Sequence, residues 1–114
     1  MPPPRHLQGE VVFPDDAQPA VAARVVVELR DVSWMDQPSR VLAVTVLQDV
    51  AVGPGLRLPF TLDAPSAPPS ATLSLRVQVD LRGAGQGCDY LTTVSQPVAP
   101  TGDARDLVVP LARP

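Results

Sequence analysis

The sequence predicts an all-β protein, a single-domain antiparallel β-sandwich of about seven to eight strands. Residues 1–6 read as a disordered lead-in and 7–112 as the domain. Three observations predict this. Within residues 72–82, five apolar residues (Leu73, Leu75, Val77, Val79 and Leu81) alternate with five polar ones (Ser74, Arg76, Gln78, Asp80 and Arg82) in strict period two, which fits a half-buried strand and excludes a helix face. Turn signals recur about every ten residues, the spacing of a sandwich or barrel. The chain holds 15 Pro, 18 Val and 13 Leu but no Lys, a composition that disfavours helix throughout.

The elements follow in order. Residues 1–5 (MPPPR) start as a frayed or polyproline-like segment with no apolar signal-peptide region. The first strand spans 7–13 (LQGEVVF), and Pro14-Asp15-Asp16 turns the chain. The second spans 22–32, with Val25, Val27 and Leu29 on one face and Val26, Glu28 and Arg30 on the other. A loop at 33–39 (SWMDQPS) leads to a third strand at 40–50. Its two faces are both apolar, as in a central or a bent strand. Val52-Gly53-Pro54-Gly55 marks a turn.

The fourth strand places Leu56, Leu58, Phe60 and Leu62 inward, and Pro59 marks it as an edge. After a loop at 63–70, the fifth strand carries the alternation of 72–82. A Gly-rich hairpin at 83–87 leads to a β-branched strand at 88–96. A loop at 97–103 precedes the closing strand at 107–111. The segments do not resemble one another, so no internal repeat is read.

Charge and composition exclude several functions. The net charge of -3 gives no basic footprint for nucleic acid and no attraction to anionic lipid. No apolar run approaches the roughly 20 residues of a membrane span. A single Cys forms no internal disulfide. Lys, Asn and Ile share AT-rich codons and are all absent, which we read as the coding bias of a GC-rich genome.

The chemistry-bearing residues are few. His6, the one histidine, reads as an exposed residue near the chain start, with no base or nucleophile signalled beside it. Cys88 reads as a small hydrophobe, since no helix N-terminus or base is placed to activate it. The loop aspartates Asp15, Asp16, Asp31, Asp36, Asp49, Asp63, Asp103 and Asp106 suit turns and lack calcium-loop spacing. The glycines at 83–87 have neither a Walker Lys nor a following helix. Tyr90 reads as a corner tyrosine. Trp34 and Met35 either fold back over the core, the simpler reading, or stay exposed as an anchor. Together these predict no enzyme, no metal site and no cofactor.

The segment 25–39 (VVVELRDVSWMDQPS) resembles the L-x-D-V-S-x-x-D-x-P signature of the YbaY/YscW-type lipoprotein family. Gly9-Glu10-Val11 is similar to the opening G-x-V strand of that family. Residues 58–62 (LPFTL) resemble its P-F-x-L strand, and 90–98 its closing F/Y-x-T…P-V segment. The likeness runs from about residue 7 to 112. It implies a β-sandwich without a catalytic constellation, an envelope location, and in some members a pilotin-like role in secretin assembly. This chain carries no signal peptide and no lipobox cysteine before its first strand, which leaves a cytoplasmic location open.

The resulting expectation is a non-enzymatic, chaperone-like binding module with an envelope or secretion protein as partner. Its expected contacts are Trp34, Met35, Leu56, Leu58 and Phe60. The alternative is a sandwich holding a small ligand or calcium in its loops, or a structural domain of a larger protein.

Overall fold

The computed structural model describes residues 5–34, 37–82, 89–92 and 96–113. Met35, Asp36, the hairpin loop 83–87 and Cys88 lie outside these described residues. Among the described residues eight strands follow in order: β1 (Arg5–Val12), β2 (Ala20–Asp31), β3 (Arg40–Val52), β4 (Arg57–Ala64), β5 (Leu73–Leu81), β6 (Tyr90–Leu91), β7 (Gln96–Val98) and β8 (Ala104–Pro110). They form two sheets, β4-β1-β8 and β3-β2-β5-β6, with β7 also paired to β5. The chain is thus the all-β single domain that its patterning predicts.

The core lies between the sheets and is built by alternation. Val25, Val27 and Leu29 of β2 and Leu73, Leu75, Val77 and Val79 of β5 are buried from one side. Leu7 and Val11 of β1, Phe60 and Leu62 of β4 and Val109 of β8 meet them from the other. Each such side chain contributes about 1.5–3 kcal/mol of burial. Phe13 and Tyr90 close one end edge-to-face, with ring centroids 5.4 Å apart and planes at 73°.

Several local features depart from expectation, each for a physical reason. β1 pairs antiparallel with β4 but parallel with β8, so the first sheet is mixed. β8 begins at Ala104, three residues early, because Asp106 takes a left-handed φ of 58° and absorbs a register shift between Leu7 and Gly9. Among the described residues of the strand expected at 88–96, β6 and the start of β7 are two short pieces along the same edge of β5. Pro97, expected in a loop, sits opposite Ser74 at that edge, where its missing N–H is tolerated. β3 is not central: among the described residues it pairs only with β2 and forms the edge of its sheet. It is bent, with a register shift beside Leu29 and Asp49 at φ 54°.

β1 starts at Arg5, two residues before the expected first strand, and Arg5 is 3 % exposed. Its Nη1 donates to the carbonyls of Ala99 and Gly102, latching the loop before β8. Burial pushes the guanidinium pKa down, and nearby Asp103 partly offsets that. His6 is exposed on β1 and pairs with Asp63 across the β1–β4 ladder.

Gly9 has a steric role. A Cβ there would lie 2.3 Å from the carbonyl oxygen of Leu107. Only a hydrogen at this position lets β1 and β8 approach closely enough to pair.

Candidate functional site

Two exposed features stand out, and they occupy different ends of β4. The first is the loop after β2, which carries Trp34. The indole is 69 % exposed, so the simpler core-cover expectation is overturned for Trp34. The loop does not hang free. At its start Asp31 Oδ1 accepts hydrogen bonds from the N–H and hydroxyl of Ser33. Ser33 Oγ in turn accepts from Thr72 N at 2.8 Å, and Val32 N donates to Thr72 O. These bonds join the end of β2 to the start of β5. At its far side Arg30 donates to Ser39 Oγ at 2.7 Å while its other nitrogens hold Glu28. The Asp-Val-Ser of the signature is therefore a brace, and what it presents is Trp34.

The brace shifts a titration. The two bonds from Ser33, the hydroxyl first and the amide second, hold the Asp31 carboxyl below the usual aspartate value. Shallow hollows flank the indole on both sides, one lined by Gln37, Pro38 and Arg40, the other by Pro68, Ser70 and Ala71. Asp31 borders both of them.

The second feature is the flank where β3 and β4 meet. The strands touch but belong to different sheets and share no ladder. The turn that joins them has Pro54 and Gly55 at its centre. Gly55 is at φ 63° and Leu56 N bonds Gly53 O, as in a type II turn. Leu56 and Leu58 are half-buried against the core from this side. Phe60 is 3 % exposed, so its side chain belongs to the core and is not available to a partner. What β4 offers at this edge is backbone. Pro59 sits opposite Glu10, and it keeps the β1 ladder because its missing N–H faces away from β1. By alternation the N–H groups of Arg57 and Thr61 face the same free side.

The expected contact residues thus do not form one patch. Leu56 and Leu58 lie near Val12, whereas the chain beyond Ala64 runs through Pro68 and Ala71 beside Trp34. Beside the edge, a groove of about 500 Å³ crosses the outer face of β4, β1 and β8, with Glu10 and Arg57 paired at 3.1 Å in it. Gln8, Thr61 and Asp106 also line it. Sequence patterning does not signal this groove, because its residues come from three separated strands. Among the described residues no three His, Cys, Asp or Glu side chains are grouped as a metal site would require.

A sandwich that presents a braced indole and an unpaired strand edge has the build of a protein-binding module. Family comparison sharpens that class. The family model for the type III secretion system lipoprotein chaperone, YscW, matches residues 2–109, and the chain belongs to this family. The fold is similar to that of an alternative pilotin from the type II secretion system of Vibrio cholerae. The TM-score is 0.68 at 20 % identity, covering 98 % of this chain and 100 % of that one. No curated protein matches the chain. No helix among the described residues is long and apolar enough to cross a membrane.

Proposed function

We propose that this protein is a chaperone-like module that binds an envelope or secretion-system protein and assists its assembly, without catalysing a reaction. The observation that carries the reading is the exposed indole of Trp34 on a loop fixed at both ends. A large apolar side chain already exposed to solvent gains a desolvated contact on binding. Family membership and the pilotin-like fold support the same reading. The proposed contacts are Trp34 with Met35 at the loop and the backbone edge of β4, with Leu56 and Leu58 beside it. The location that follows is the envelope.

The test is capture from envelope fractions of the native organism, read by mass spectrometry, followed by titration of the recovered partner. Trp34→Ala is expected to weaken binding by about tenfold or more, as for a central aromatic contact. Thr61→Pro removes a free-edge N–H without touching the β1 ladder and is expected to weaken a strand-adding partner. Unchanged affinity in both variants would remove this reading. The outer-face groove supports a second reading, a small ligand held between Glu10 and Arg57. Under that reading Arg57→Ala alters ligand-induced thermal shifts and Trp34→Ala does not.

A further inference from the structure

The edges of this sandwich are not protected equally. Natural sheets block exposed edges with proline, charge or bulges. β4 carries Pro59 between Arg57 and Asp63. β7 carries Pro97. β8 carries Arg105, the left-handed Asp106 and Pro110. β3 is the longest strand and stands at a sheet edge, yet residues 41–48 (VLAVTVLQ) hold no charge and no proline. Its irregularities fall near the two ends of this run, at the register shift beside Leu29 and at Asp49.

The outer face of β3 is also apolar in solvent. Val41, Val44 and Val46 are 43 %, 54 % and 45 % exposed, three of the seven exposed large apolar side chains among the described residues. Val26, opposite Val46 on β2, extends the patch inward and is half-buried. An unpaired ladder and an apolar row therefore coincide on one strand.

We propose that β3 is a self-association edge, pairing antiparallel with β3 of a second copy about a two-fold axis through Thr45. The pattern of β3 is its own complement in that register. Val44 then faces Val46 of the second copy and the reverse, so the exposed valines of one row cover each other. Arg40 of each copy comes to the end where the other carries Asp49, itself paired with Arg82 of its own chain, so charged groups flank the apolar centre at both ends. A parallel pairing would set Arg40 beside Arg40. The product is a continuous sheet through both copies. The inference is independent of the partner reading, since it uses a different edge.

Sedimentation or light scattering over a roughly hundredfold range of concentration tests it, because a dimer of this kind dissociates by mass action. The expected result is a mass rising from one to two chains, and a mass of one chain for Val44→Arg at every concentration. A second measurement does not depend on charge insertion. Thr45→Cys in a Cys88→Ser background should form a disulfide-linked dimer on mild oxidation, because residues facing across the axis lie within disulfide reach. Thr61→Cys on β4, in the same background, should not. A wild-type chain that stays monomeric throughout, or a dimer that survives Val44→Arg and resists cross-linking at Thr45, overturns the proposal. Loss of partner capture with dimerisation intact would instead count against the Trp34 and β4 reading alone.

Discussion

The two flanks of the sandwich are built differently. On one, the sheets are joined: Leu91 and Ala112 exchange backbone hydrogen bonds at 3.0 and 2.9 Å. On the same side Gly9 lets β8 close against β1, and Phe13 seals the end against Tyr90. On the other flank β3 and β4 touch without a ladder, and core leucines are only half-covered. Backbone pairing and ring packing stiffen the first flank, whereas the second keeps unpaired N–H and C=O groups that a partner can satisfy.

Substitutions should separate the two flanks by size of effect. Phe13→Ala empties a fully buried site on the closed side and removes the contact with Tyr90. It is expected to cost about 4 kcal/mol in urea unfolding, as for a large core aromatic. A loss below about 1 kcal/mol would show that the end can collapse around the gap. Gly9→Ala is expected to cost about 2–3 kcal/mol, because the new Cβ meets backbone and not a flexible side chain. If Gly9→Ala melts like the wild type, β8 does not need to approach β1 so closely.

The loop brace is a smaller contribution. Ser33→Ala leaves Thr72 N–H without its acceptor and should cost about 1 kcal/mol while changing the emission of Trp34, the chain's single tryptophan. The same brace predicts a pH dependence. The Asp31 carboxyl is held below its usual value in the fold and returns to that value on unfolding. As pH falls, the unfolded chain therefore takes up the proton first. The stabilisation is complete above the ordinary aspartate pKa and is lost as pH drops through the lowered one. A pH titration of Trp34 emission should show this step in the wild type and a shifted one in Ser33→Ala. Coincident curves would remove the brace. The smallest effect is expected on the open flank, where Val44→Arg should change stability by no more than about 0.5 kcal/mol at concentrations low enough for the wild type to be a single chain.

Much of the architecture was legible because period-two patterning needs only local sequence. Leu73 to Val79 and Leu58 to Leu62 face inward as their alternation requires, and Pro59 correctly marks β4 as an edge. The exposure of Trp34 was not legible, since an apolar loop residue covers a core or protrudes depending on bonds made by residues distant in sequence. Here Thr72 and Ser39 decide it. Arg5 misled for a related reason. A charged residue near a chain start reads as solvated, but the carbonyls that accept from it belong to residues 99 and 102.

By itself, then, the sequence determined the strand class, the inward faces, most of the turns and the absence of a basic footprint, because alternation, proline and net charge act locally or by simple summation. Only the tertiary structure decided that β3 became an edge, that β1 and β8 run parallel, that the Asp-Val-Ser segment holds Trp34 out, and that β3 leaves its apolar row uncovered. Those outcomes depend on pairing between segments far apart in the chain. A strand with two apolar faces carries the same pattern whether a neighbour covers it or not.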